Sequence, residues 1–527
     1  EGGVFGSFGL ALGGSIANNV IQGGTTAELL NSDVIAGGLS VKSINAATII
    51  ADNTLMLEAG SASVGVMMAF NSIGWNETGL LDSALDALVG GFGGSPTRSD
   101  AVALIESTTL DISTDIEVLA DNRASINANL SNQSDAGTGQ GSAGLLLATN
   151  RVASAAVATL DNSALGQVGS ASADVLADGA VTIDARDRAS IIADSLLVAS
   201  TAEDEVGYMD ASTADFSTSD GEQSLEFGST VYVEQDYANG GRGGYIYRYM
   251  GQPGTVDLSE ADFSDVGLWY NLEFDLSRLE NGDLGQLTQD PGSAILEFLL
   301  DALALSLSSA MGVGPIANST VSAGALAVVN DVQAGASAEL KGSKLQASAL
   351  DVSVTQDAVI IASNDSTVVA TGSSSIGAGS LGAGLSFVAA TNLILGDATA
   401  RISGSDVITL TDSAGETGDV LVTAQNDSFI DSRNRAVTIA DSAAIGATLA
   451  FNSIGWASQN ILKNSAEAIV GSSFGAEQTV RVDAEVLDSQ IDAAGALKVE
   501  SSSTAKILAN LTNDSSSSAV SLRPGAG

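Results

Sequence analysis

"VTIDARDRASIIADS", Val181–Ser195, carries two short patterns in tandem. Val181-x-Ile183-x-Ala185 alternates apolar and polar residues, and Ala189-x-Ile191-x-Ala193 repeats the alternation just downstream. A period of two sends one row of side chains inward and the other outward, the signature of a half-buried strand. Both patterns return along the chain. The first recurs at Leu39–Ser43, Ile116–Ala120, Val352–Thr355, Val420–Ala424 and Leu497–Ser501. The second recurs around Ile49, Ile126, Ile360 and Ile507, with "SFIDS" at Ile430 as a degraded copy. The outward row is mostly Ser, Thr, Lys, Asp and Glu, as a solvated strand face requires.

A third signal precedes each pair. "ATN" at Ala148–Asn150 returns at Ala390–Asn392, with looser copies ending at Asn19 and Asn330. Eight and ten residues beyond each Asn stand Ala27/Leu29, Ala158/Leu160, Ala338/Leu340 and Ala400/Ile402. Two "AFN" copies, ending at Asn71 and Asn452, fill the same slot. Asn at a strand end suits a turn with left-handed backbone, and stacked Asn side chains can hydrogen-bond along an axis. Asn19, Asn71, Asn150, Asn330, Asn392 and Asn452 are therefore expected to form a structural turn ladder. The expected fold is all-β: a β-solenoid or stack of parallel β-rungs in six modules, about 4.8 Å apart, each burying its apolar row against its neighbours. Modules 1–3 occupy residues 1–200 and modules 4–6 residues 311–527, separated by a foreign segment at 201–310.

"AFNSIGW" occurs twice, at Ala69–Trp75 and Ala450–Trp456. Beyond it the chain inserts, at about 72–94 and 453–475, a stretch patterned as an amphipathic helix. Leu81, Leu85 and Leu88 make the stripe of the first; Leu462, Ala466 and Ile469 that of the second. Gly90 and Gly471 stand where a C-cap belongs. Helix and tryptophan either cap the solenoid's side or form a ridge that docks to a neighbouring subunit, with Trp75, Leu81, Leu85, Trp456 and Leu462 as candidate contacts.

All seven tyrosines and the remaining tryptophan fall between Tyr208 and Tyr270. "VYVEQ" and "YIYRYM" alternate like paired strands, and Asp257–Trp269 reads as a loop or short helix closing over them. Tyr245, Tyr247, Tyr249 and Trp269 either make an aromatic platform for sugar or protein, or build the core of a small appended module.

Composition narrows the functions. The 527 residues carry 63 acidic against 19 basic side chains, a formal charge of −44. Such a chain lacks the basic footprint that nucleic acid or an anionic membrane demands. Its 45% hydrophobic content argues for a packed interior, not disorder. There is no cysteine and no histidine, so thiol chemistry, disulfides and His-based catalysis are excluded. The most apolar helical stretch, Ser293–Gly312, is interrupted by Glu297 and Asp301, so no transmembrane span is expected. "GGFGGS" (Gly90–Ser95) and "GGRGGY" (Gly240–Tyr245) lack the aspartate of a calcium-binding glycine-rich turn. No cofactor is expected beyond loosely bound calcium at acidic turns such as Asp204/Glu205 or Asp412/Glu416. The Asp184/Asp187 pair sits in a strand whose other copies carry Thr355-Gln356 or Ala424-Gln425, and no basic cluster marks a substrate cleft, so an enzyme is not expected.

The opening stretch and "AVVNDVQAGASAELKGSKLQASALDVSVTQDAVIIAS" (Ala327–Ser363) resemble the β-strand repeats of giant secreted bacterial surface proteins, filamentous adhesins among them. The resemblance covers nearly everything except about 201–310. It implies export to the bacterial cell surface or beyond and a structural or adhesive role. The expected function is a subunit of an extracellular filament, appendage or matrix, self-associating into an oligomer or polymer. The alternative is an adhesin whose tyrosine-rich module binds glycan or a cell-surface partner.

Overall fold

The computed structural model describes residues 10–60, 62–76, 95–136, 141–165, 173–201, 214–225, 229–234, 237–240, 245–249, 254–263, 268–271, 320–370, 382–411, 418–441, 443–457, 476–477, 480–517, 520–522 and 525–526. The helical stripes with Leu81, Leu85 and Leu462 and the acidic turns Asp204/Glu205 and Asp412/Glu416 lie outside them.

The fold is all-β and its main ladders are parallel. On each circuit the chain visits five ladders in the same order. Within residues 10–59 the first ladder takes Leu10–Ile21, the second Thr25–Leu30, the third Asp33–Ala36, the fourth Leu39–Asn45 and the fifth Thr48–Ala59. The third, fourth and fifth ladders are six-stranded sheets. The first and second are fused into one larger sheet, because Gly141–Asp161 runs through both without a break. Val520–Leu522 and Gly525–Ala526 add to the outer edge of the first ladder.

The register follows the sequence patterns. Ile49, Ile126, Ile191, Ile360, Ile430 and Ile507 are successive partners in the fifth ladder. Leu39, Ile116, Val181, Leu350, Val420 and Leu497 are partners in the fourth. A one-residue slip would turn either apolar row to solvent, so the alternation fixes the register. Ala103 and Ala484 complete the alanine column of Ala27, Ala158, Ala338 and Ala400 in the second ladder.

The interior has two lobes. Ladders two, three and four enclose one, built on Ala158, Leu160, Val181, Ile183, Leu345 and Val352. Ladders one and five face each other across the second, where Ile73, Val152, Val332 and Ile394 meet the isoleucine column. Burying each such valine, leucine or isoleucine side chain stabilises the fold by about 1.5–3 kcal/mol. Small residues suit this cross-section, because Ala opposite Ile lets the sheets approach without voids.

The asparagines are not at turns. Each lies inside a first-ladder strand, and none is among the described residues of positive φ. Their side chains nevertheless form a continuous chain. Asn19 Nδ2 donates to Asn71 Oδ1, Asn71 to Asn150, Asn150 to Asn330 and Asn330 to Asn392, each at 2.8 Å, and Asn392 donates to Asn452 at 2.7 Å. The primary amide has one donor pointing up the stack and one acceptor pointing down, so an identical residue at every level satisfies both.

Between Phe216 and Asn271 the foreign segment builds a separate four-stranded sheet and a two-stranded antiparallel pair. Thr230–Val233 pairs antiparallel with Tyr245–Tyr249, in keeping with the alternation of the two segments.

Candidate functional site

The two "SIGW" copies leave the stack by the same device. Ser72-Ile73 and Ser453-Ile454 finish first-ladder strands. Gly74 (φ 70°) and Gly455 (φ 79°) then turn left-handed, a conformation only glycine adopts without strain. A Cβ on Gly74 would lie 2.2 Å from the Ala153 carbonyl oxygen. Two short antiparallel stems follow, Trp75–Asn76 with Ser95–Pro96 and Trp456–Ala457 with Ala476–Glu477. The chain re-enters the second ladder beside Arg98 and Arg481.

Three intervening levels have no stem at this corner. Ser154-Ala155 bends within its strand, and Ala334-Gly335 and Gly396-Asp397 make tight links. A Cβ on Gly396 (φ 143°) would fall 1.2 Å from the Ala334 carbonyl oxygen, so glycine is what lets these corners nest. The result is a groove of about 600 Å³ along the stack. Gly335 and Gly396 form its floor, Gln333 and Thr399 line it, and Arg98 and Arg481 stand in its wall with Asp397. Backbone groups at the corner are already used: Ala156 N–H donates to Gly335 O, Ala336 N–H to Asp397 O and Ala398 N–H to Arg481 O, each at 2.9 Å. These corner backbone groups are thus paired with one another, and what the groove presents between the two arginines is side chains.

A second polar column lies behind the floor. Asn45, Asn122, Asp187, Gln356 and Asn426 are register partners. Three of them donate to corner backbone: Asn45 Nδ2 to Ser99 O at 2.9 Å, Asn122 Nδ2 to Ala155 O at 3.1 Å and Gln356 Nε2 to Ala334 O at 3.3 Å. Asp187 is the acidic member. Ser154 Oγ donates to it at 2.9 Å, and the N–H groups of Gly335 and Ala189 at 3.1 and 3.2 Å. Burial pushes its carboxyl up to about 7, against the pull of those hydrogen bonds and of Arg98. Asp187 is fully buried, so it seals the corner and does not open into the groove. Asp184, its sequence neighbour, pairs with Arg186 on the other side of the strand.

The expected contact residues separate. Trp75 is 5% exposed, with the Arg151 guanidinium 5.1 Å over its ring. Trp456, over whose ring no described guanidinium lies, is 37% exposed. The aromatic platform is corrected: Tyr247, Tyr249 and Trp269 are 5%, 6% and 3% exposed and pack with Phe263, Val231 and Leu258 in the inserted module's own core. Trp269 lies 4.3 Å from Phe263 and 5.2 Å from Tyr249 between ring centres. A sheet this small buries enough apolar area only by spending its aromatics inside. Tyr245 belongs to the same strand. The groove has no signal in the repeat pattern, because it arises from where the insertions begin and end.

Among the described residues, no group of three or more acidic side chains is placed to hold a metal ion, and no helix is long and apolar enough to cross a membrane. Compared with known proteins, the chain matches no family model, no curated protein and no solved structure.

Proposed function

We infer that the protein is a structural subunit of an extracellular bacterial filament, appendage or matrix, built from six modules that each contribute one rung and extended by stacking further rungs end to end. The observation that carries this reading is the like-on-like parallel stack: Ile49, Ile126, Ile191, Ile360, Ile430 and Ile507 lie in register in one ladder, and each rung buries its apolar row only against a rung of the same pattern above or below it. The purified chain should polymerise into filaments under electron microscopy; dispersed single particles in every salt and calcium condition would refute the reading.

A further inference from the structure

We propose that the groove between the two stems is a lateral docking site for the acidic surface of a second copy of this chain. This rests on the self-association reading above, but concerns contacts beside the stack, not along it.

The charge pattern points there. Most described cations are neutralised locally: Lys42 by Glu117 at 2.7 Å, Arg188 by Asp121 at 2.6 Å, and Lys341 by Asp161 and Arg401 by Glu485, both at 2.8 Å. Arg98 and Arg481 have no ion pair among the described residues, are exposed, and line the same groove. Arg98 acts on buried Asp187 and half-buried Asp100 through its field. Their strands are four spacings apart, so the two backbones stand roughly 19 Å from each other along the axis.

Two copies that each carry −44 repel unless cations lie between them. Two guanidiniums without ion pairs among the described residues, at the ends of a slot whose one lining carboxylate, Asp397, is held by the Arg481 N–H at 2.9 Å, answer that need, and Gln333 and Thr399 can hydrogen-bond the carboxylates between them. The self-paired corner backbone excludes strand addition here, leaving a carboxylate-bearing surface as the partner. The stems fix the spacing, so the docked copy is held in axial register with the stack.

The test is sedimentation velocity and electron microscopy of the full chain, comparing wild type, Arg98→Glu/Arg481→Glu and a charge-matched control, Lys42→Glu/Lys341→Glu. Wild type should show side-by-side pairs. The groove variant should lose them, with lateral affinity weakened at least about tenfold, and keep single filaments; the control should pair like wild type. Unchanged lateral pairing in the groove variant, or equal loss in the control, would overturn the proposal while leaving stacking intact. Arginine-dependent lateral dimers with no filaments would support the groove and refute the stacking. A wild type that never pairs laterally at any salt concentration would overturn the docking site itself.

Discussion

Replacing Asn150 by alanine probes the amide column at its most committed point. Asn150 is fully buried, accepts from Asn71 at 2.8 Å and donates to Asn330 at 2.8 Å. The substitution strands a buried donor on Asn71 and a buried acceptor on Asn330. Each orphan costs about 1–3 kcal/mol, so the sum is about 2–6 kcal/mol before any relaxation. Asn19→Ala is the matched control. It orphans one group, the Asn71 Oδ1 acceptor, at a bond that is only part-buried, and should cost about 1–3 kcal/mol. Urea unfolding gives the loss of stability, and native-state hydrogen exchange locates it at the amides of 141–161 or of 10–21. Equal losses of stability in the two variants, or a smaller loss for Asn150→Ala than for Asn19→Ala, would contradict a buried amide column.

Other perturbations separate the remaining forces. Because burial raises the folded-state carboxyl of Asp187 to about 7 from 3.8, the fold favours its protonated form. Its contribution is therefore full below about pH 4 and lost as pH rises toward 7, on the order of a few kcal/mol. Asp187→Asn should flatten that slope and be more stable than wild type at pH 8; an unchanged pH profile in chemical denaturation would count against the buried-acid account. Ile191→Ala should cost about 2–5 kcal/mol, whereas Ile50→Ala, at a side chain 78% exposed, should stay within about 0.5 kcal/mol; thermal melts that rank them equally would contradict the register. Gly404→Ala, with nothing within 4 Å of the new Cβ, should cost only about 1–2 kcal/mol of left-handed strain. Gly396→Ala should cost several times more by driving a methyl into the Ala334 carbonyl, visible as a much lower denaturation midpoint.

How far the sequence could be read depended on which force acted. The isoleucine column was legible because each side chain needs the same neighbour above and below, which leaves an uninterrupted period in the chain. The asparagine column was legible as a ladder but misplaced at turns. Asn is a turn residue by local propensity, and only the facing sheet, where Ser432 Oγ accepts a bond from Asn392, shows that the amide belongs inside a strand. The tyrosines alternate in Tyr245–Tyr249 as a surface platform would, yet partners distant in sequence, Phe263 and Trp269, bury two of them. The two arginines stand in the same Arg-x-Asp-Ala pattern after each insertion, Arg98–Ala101 and Arg481–Ala484, but that pattern does not show that they line one groove. Their juxtaposition depends on three short corners lying between two insertions, and a linear pattern does not encode that spacing.

In the proposed filament, rungs of one copy continue into rungs of the next, and diffraction from oriented filaments of the purified chain reads that continuity. Continuous stacking predicts a sharp meridional reflection at about 4.8 Å, the strand spacing running along the filament axis. Filaments with that spacing perpendicular to the axis, or a chain that remains monomeric at every concentration, would contradict it.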